Sequence, residues 1–342
     1  MSSKLILVLG ATGAQGIAVI DSLLAPAADG SPSPYTVRAL TRDPNSRRAQ
    51  FLQQKGVELA IGDTDNLPSV KAALQGVYGA WINIDTFTVG EFKEVFQGLR
   101  IFEFAKQAGV KHYVWSSLEY ISKLTGYNDY YRSEHYDAKG RVAEFIQMQP
   151  SAVDDAGLTW SVVNTGPYMD MLSMSNFGPT RREDGTFVFA APIGNGHVPM
   201  IALKDLGWWA RYTFDHRQIV SGRVIAIASD MVDWPYLVKT FTKVTGQKAV
   251  FQSVSIEEAM ARTPNPDRPA ASNGIDSLTW RQSISGWWAA YRDDKLKKDM
   301  DWLRTVHPGT LSLEKWMREV GYDGLIDGKG AHLLKDAEDQ IL

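Results

Sequence analysis

Residues 5–24, LILVLGATGAQGIAVIDSLL, constrain this chain more than any other stretch. Residues 4–9, KLILVL, run apolar without the alternation of a half-solvated strand, so they read as a strand buried on both faces. Residues 13–25, GAQGIAVIDSLLA, read as a helix with Ile17, Ile20, Leu23 and Leu24 on one side. Between them Gly10, Gly13 and Gly16 recur at three-residue spacing. Strand, glycine turn and helix follow in the order a dinucleotide site requires. Glycine lets backbone N–H groups approach a pyrophosphate, and the positive end of the helix dipole faces that anion. A turn that merely packs helix on strand is the plainer alternative, and the order of elements weighs against it.

The alternation continues. YTVRALTR (35–42) reads as a second strand, after a Pro-, Gly- and Ser-rich surface loop, APAADGSPSP. This strand ends in Thr41 and Arg42, where an NAD site commonly places a carboxylate for the ribose 2′-hydroxyl. A cation there suits a 2′-phosphate, which favours NADP(H). Arg47 and Arg48 either assist or form a solvated helix face. A third strand ends at Asp63, VYGAWINI is a fourth, EVFQGLRIFEFAKQAG a helix and KHYVWSS a fifth strand. Such regularity predicts an α/β protein with a doubly wound parallel sheet.

The rest of the composition narrows the classes. With 342 residues, a large core with an appended lobe is expected. A formal net charge of -3 and no long basic run argue against direct nucleic-acid binding. No cysteine is present, and the histidines His112, His135, His197, His216, His307 and His332 lack the close pairing of metal sites, so no metal is expected. The first apolar run is far short of the roughly 20 residues that cross a bilayer. A cytoplasmic protein without membrane contact is the expectation.

Taken in order, GATGAQG, VRALTRDP, GVELAIGDTDN, GLRIFEFAKQAGVKHYVWSSLEYISKLT, HYDAKGRVAEFI and HVPMIALKDLG resemble the NmrA-like family of atypical short-chain dehydrogenase/reductases, from about residue 5 to about residue 320. The resemblance implies a Rossmann-type sheet with a smaller C-terminal α/β substrate lobe, divided here as 1–165 and 166–342 and interleaved. It implies NADP(H) as cofactor, with Gly10, Thr12, Gly13, Gln15 and Gly16 around the pyrophosphate and Arg42 at the 2′-phosphate. Asp63 would lie near the adenine, and Asn83 and Ile84 beneath the cofactor. Ser116, Ser117 and Lys139 would sit at the nicotinamide ribose, with Pro167 and Tyr168 covering the nicotinamide. The family holds NADP(H)-binding transcriptional co-regulators and redox sensors as well as reductases of natural-product (secondary) metabolism, so membership bears on the cofactor more than on the activity.

The catalytic helix departs from the Tyr-x-x-x-Lys of short-chain dehydrogenases, in which the ammonium lowers the phenol's pKa. Here EHYDAKGRVAEF places His135 four residues before Lys139, with Tyr136 offset by about 100° and Tyr131 one turn earlier. Three readings stay open: His135 as general acid; Lys139 as cofactor ligand with His135 only lining the site; or a proton from Tyr127, Tyr130, Tyr131 or Tyr136. Hydride transfer to an iminium or conjugated cation needs no such acid. The aromatic loop ISKLTGYNDYYRSEHY either covers a bulky ligand beside the nicotinamide or packs on the second lobe.

Beyond residue 166, REDGTFVFAAPIGNGHVPM reads as a hairpin or short strands, with turns near Asp184-Gly185 and Asn195-Gly196. Helices follow over IALKDLGWWARYTF and DWPYLVKTFTKVTG, a strand at VIAIAS, and a helix capped by Ser255. SLTWRQSISGWWAAYRDDKLKKDMDWLRTVH reads as one long helical tract, TLSLEKWMREVG as a late amphipathic helix, and LLKDAEDQIL as a solvated tail. The expected function is an NADPH-dependent oxidoreductase acting on a bulky small molecule between the lobes, an imine, iminium or enone. The alternative is a non-catalytic NADP(H)-sensing regulator of a protein partner.

Overall fold

The computed structural model describes residues 3–27, 29–153, 157–174 and 177–325, so the LLKDAEDQIL tail and His332 lie outside the described residues. The first half alternates strand and helix: β1 (Lys4–Leu9), α1 (Ala14–Leu24), β2 (Tyr35–Thr41), α2 (Arg47–Gln54), β3 (Glu58–Ile61), α3 (Leu67–Ala73), β4 (Gly79–Ile82), α4 (Thr86–Gln107), β5 (His112–Ser117), α5 (Ile121–Leu124), α6 (Glu134–Gln147) and β6 (Thr159–Asn164). The second half is less regular: β7 (Thr180–Arg181), β8 (Phe187–Ala191), β9 (Val198–Met200), α7 (Leu203–Asp215), α8 (Arg217–Val220), β10 (Arg223–Ala226), β11 (Asp230–Val232), α9 (Trp234–Thr245), β12 (Ala249–Ser253), α10 (Ile256–Ala261), α11 (Trp280–Arg292), α12 (Met300–Val306) and α13 (Leu313–Val320).

The main sheet has seven strands in the order β10-β6-β5-β4-β1-β2-β3, all parallel. This is the Rossmann-type doubly wound arrangement that the alternation predicts. Its central strands are buried on both faces because helices cover both: Ile6, Val8, Trp81 and Val114 face one core, Leu7, Ala80, Ile82 and Trp115 the other. The order reverses between β1 and β4, which opens a crevice beyond the carboxyl ends of those strands.

The second half contributes to both lobes. Residues of α7, β10 and α12, among them Leu206, Trp209, Ile225 and Leu303, join the sheet core with α1. The rest encloses a separate core of Phe177, Phe189, Trp234, Phe241, Trp287, Trp288 and Trp316. One open expectation is decided here and another changes. β7 and β8 form the antiparallel hairpin turned at Asp184-Gly185, but β9 pairs with β11 instead of returning to β8. The chain leaves the hairpin because Gly196 passes under the end of α11, where a Cβ would stand 2.2 Å from the Tyr291 carbonyl oxygen. The long helical tract is also broken: α11 stops at Arg292 and α12 starts at Met300. Asp294 adopts a left-handed φ of 49°, and its carboxylate accepts from the His197 N–H at 3.0 Å.

α7 reaches α1 by close backbone approach: a Cβ on Gly207 would lie 2.4 Å from the Ala18 carbonyl oxygen. Gly207→Ala should therefore cost about 1–3 kcal/mol as the helices separate. Urea unfolding followed by circular dichroism measures it, and an unchanged midpoint would show that the contact is dispensable.

Candidate functional site

The crevice is a cleft of about 1050 Å³ running from the glycine loop to the second lobe. That lies above the roughly 300–1,000 Å³ typical of single small-molecule sites. At its inner end Gly10 turns with φ 79°, and a Cβ there would stand 2.8 Å from the Asn83 carbonyl oxygen. Gly13 starts α1 with no side chain bonded to the first-turn N–H groups, which leaves them directed at the cleft, as an anion site requires. Arg48 is buried and donates from Nη1 to the Thr12 carbonyl at 3.0 Å, so it buttresses the loop and the solvated-face reading fails for it. Arg42 and Asp63 also line the cleft, Arg42 Nε being 3.8 Å from Asp63 Oδ2, with Arg42 exposed and Asp63 half-buried.

Lys139 lies deeper. Its Nζ donates to Asn83 Oδ1 at 3.2 Å, Ile84 O at 2.6 Å and Glu94 Oε1 at 2.9 Å. An ammonium has three N–H donors, so all three are engaged. Glu94 is wholly buried on α4, and Thr86 Oγ1 donates to its other oxygen. Burial pushes the Glu94 carboxyl above its ordinary range, while the neighbouring Lys139 pulls it down. The pair places a neutralised charge where the usual pattern has a cation acting on a phenol.

The wall opposite the sheet is aromatic. His135, Phe87 and Trp280 follow one another at centroid distances of 4.7 and 5.7 Å, and the Arg268 guanidinium lies 4.2 Å from the centre of the Trp280 ring. Residues 268–273 hold this wall in place: Ser272 N donates to Phe87 O and Asn273 N to Thr88 O, both at 2.9 Å. Buried Glu134 ties the wall to α6, accepting from Glu91 N at 3.1 Å, Ser277 Oγ at 2.7 Å and Leu278 N at 3.0 Å.

A family model described as the NmrA-like family matches residues 2–293. The chain belongs to the NmrA-like family. The NmrA-like family domain-containing oxidoreductase hkm9 of Aspergillus hancockii is 31% identical over 260 residues, covering 73% of this chain and 75% of that protein. Among solved structures, NmrA, a negative transcriptional regulator in complex with NADP, superposes with a TM-score of 0.72 at 20% identity, covering 94% of this chain and 96% of that one. The Escherichia coli NADPH-dependent quinone oxidoreductase QOR2, complexed with NADPH, superposes at 0.68 with 20% identity, covering 92% and 99%.

In this NmrA-like chain the cleft brings together Gly10, Thr12, Gly13, Gln15, Arg42, Asp63, Asn83, Ile84, Ser116, His135, Tyr136, Lys139, Pro167 and Tyr168. Five sequence-predicted residues fall outside its lining. Gly16 is packed beneath the turn, Ser117 donates to the Leu118 and Lys139 carbonyls, and the Tyr131 hydroxyl donates to Asp293 Oδ2 at 2.9 Å. The aromatic loop likewise turns away, with Tyr127 and Tyr130 exposed and Tyr131 held on α11, so of that stretch only His135 and Tyr136 reach the cleft. Tyr136 Oη pairs with Tyr291 Oη at 2.5 Å. Sequence reasoning missed Glu94, Phe87, Trp280, Arg268 and Trp287. Glu94 left a signal, since it shares the buried face of its helix with Gln97, Ile101 and Ala105.

Burial, followed by the Lys139 charge, depresses the His135 pKa to about 3, so the imidazole is neutral at physiological pH. Burial lowers His112 similarly, to about 3. The unfolded chain binds these protons near pH 6.5 and the folded chain does not. Their contribution is thus intact above pH 6.5 and is lost as pH falls towards 3, at roughly 1 kcal/mol per pH unit for each histidine. Thermal unfolding from pH 7 to pH 4 should show Tm falling, and His135→Leu should make the slope shallower. An unchanged slope would mean that His135 is solvated.

Proposed function

We propose that this chain is an NADPH-dependent oxidoreductase that reduces a bulky small molecule held between the sheet and the aromatic wall. The observation that carries the reading is a single cleft joining an uncapped glycine-turn helix to a wall of Phe87, His135, Trp280 and Trp287. NADPH, when bound, supplies a hydride from its nicotinamide. The α1 N-terminus would hold the pyrophosphate, Arg42 the 2′-phosphate, and Asn83, Ile84 and Ser116 would line the nicotinamide side with Pro167 and Tyr168. Lys139 holds the end of β4 in place and would hold a ribose hydroxyl only by releasing one of its three acceptors, Asn83 being its longest contact at 3.2 Å. A neutral, buried His135 is a poor proton donor, so its place is in the lining. An imine, iminium or enone suits such a site, where the acceptor's electrophilic carbon takes the hydride.

The second reading, an NADP(H)-sensing regulator of a protein partner, draws on the missing phenol at position 135 and on the full engagement of Lys139 by Glu94, Asn83 and Ile84. Isotope transfer separates the two. The full-length protein is incubated with NADPH deuterated at C4, each stereoisomer separately, and a small-molecule extract of its native cell. Label in a discrete metabolite beyond one equivalent per protein supports the oxidoreductase. Bound NADPH with no transferred label overturns it in favour of the sensor.

Arg42→Gln tests the cofactor assignment. NADPH affinity should fall about tenfold, ~1.4 kcal/mol, while NADH affinity stays within about threefold. Equal losses for both in fluorescence titrations would remove Arg42 from the 2′-phosphate.

A further inference from the structure

Gln15 lies between Trp81 on β4, Ser116 at the end of β5 and Tyr168 beyond β6. The orientation of its amide follows from Trp81. An indole N–H only donates, so the Gln15 atom 3.3 Å from Trp81 Nε1 must be the carbonyl oxygen. Ser116 Oγ donates to the same oxygen at 2.8 Å. The amide nitrogen is thereby turned to Tyr168, 3.2 Å from its Oη. That nitrogen also only donates, so Tyr168 Oη accepts and its own proton remains free to point elsewhere. Among the described residues no group accepts that proton, and Tyr168 lines the cleft.

Four other polar groups of the cleft are committed elsewhere or lack an acidic proton. Lys139 has three acceptors, and Ser116 donates to Gln15. Tyr136 is paired with Tyr291, to which Trp287 Nε1 also donates at 2.7 Å. His135 carries no acidic proton near neutrality.

We propose that Tyr168 is the proton donor of this site, presented by Gln15 from the opposite side of the cleft to the helix that carries Lys139. The assignment rests on the oxidoreductase reading. As the acceptor carbon gains the hydride, the π pair of C=N, or of the enone through its conjugation, moves to nitrogen or oxygen. That atom takes the Tyr168 proton, the phenolic O–H bond breaks, and the phenolate recovers a proton from water in the open cleft. The acceptor is reduced by two electrons and NADPH is oxidised to NADP⁺, with one proton drawn from solvent. Burial pushes the Tyr168 pKa up to about 12, so the phenol stays protonated until a strong base forms beside it. The substrate class narrows accordingly to neutral acceptors, imines and enones, whose reduction places charge on a heteroatom. A preformed iminium would leave the Tyr168 proton unused.

The test reads binding as well as turnover. 4-Nitrophenolate, an oxyanion with a visible absorption band, is titrated at pH 8.5 into the full-length protein, with and without NADP⁺, beside neutral 4-nitroanisole. The wild type should bind the oxyanion at least tenfold more tightly than the ether, with a blue-shifted band. Tyr168→Phe should abolish both the preference and the shift. Gln15→Glu keeps the phenol but offers it a carboxylate acceptor, and should lose the preference as well, which covers the case of a Tyr168→Phe protein that fails to fold. Among turnover probes, 3,4-dihydroisoquinoline should slow at least a hundredfold in Tyr168→Phe, and its N-methyl iminium salt should not. A wild type without oxyanion preference, or a Tyr168→Phe protein that keeps the preference, overturns the assignment. A wild type that binds no NADPH defeats the oxidoreductase reading instead, a separate result.

Discussion

The approach of α1 to the turn after β1 sets the geometry of everything in the cleft. A Cβ on Gly16 would stand 2.2 Å from the Gly10 carbonyl oxygen and 2.6 Å from Ala11 Cα, so only a residue without a side chain lets the helix start this close to the strand. Two consequences follow from that one contact. The first-turn N–H groups arrive at the carboxyl edge of the sheet, and Gln15, one residue earlier, is carried over Trp81 and within reach of both Ser116 and Tyr168. Gly16 touches no ligand-facing space and still decides where the ligand-facing groups stand.

Charge in the interior is managed by pairing. A lone buried ammonium at Lys139 would be costly to desolvate, and Glu94, with Thr86 on its far oxygen, answers it inside the fold. The arrangement makes Lys139 a brace between α6, α4 and the end of β4. It also explains why a helix without the usual phenol can retain its lysine, because the ammonium has structural work independent of any tyrosine. The same logic holds at Glu134, whose carboxylate is met by donors from α4 and from the segment before α11.

The sheet was legible because its determinants are local: apolar runs, a glycine turn and helical periodicity recur within short windows from Lys4 to Asn164. That Gly10, Gly13, Gln15 and Arg42 line one cleft was legible for the same reason, since the first three sit within one turn and Arg42 ends one strand. The opposite wall was not. Phe87, Arg268 and Trp280 meet across nearly two hundred residues of chain, through backbone hydrogen bonds at Ser272 and Asn273 that no periodicity encodes. The aromatic loop misled for a related reason. Tyrosines suit a ligand or a lobe contact equally well, and Asp293, on the far side of the chain, is what draws Tyr131 away. The long helical tract failed at Asp294, where the cost of a left-handed residue is offset by its bonds to His197.

Gly90 and Gly274 meet backbone to backbone: a Cβ on Gly90, which has a φ of 78°, would stand 2.6 Å from Gly274 Cα. Two main chains in such contact leave no slack to lengthen or retract, so the distance between residues 268–274 and the head of α4 is nearly invariant. Along this edge, variation in what the cleft accommodates falls to the side chains carried on that frame, Phe87, Trp280 and Arg268. Descendants of this sequence could diversify their chemistry by exchanging three residues, without rebuilding a loop.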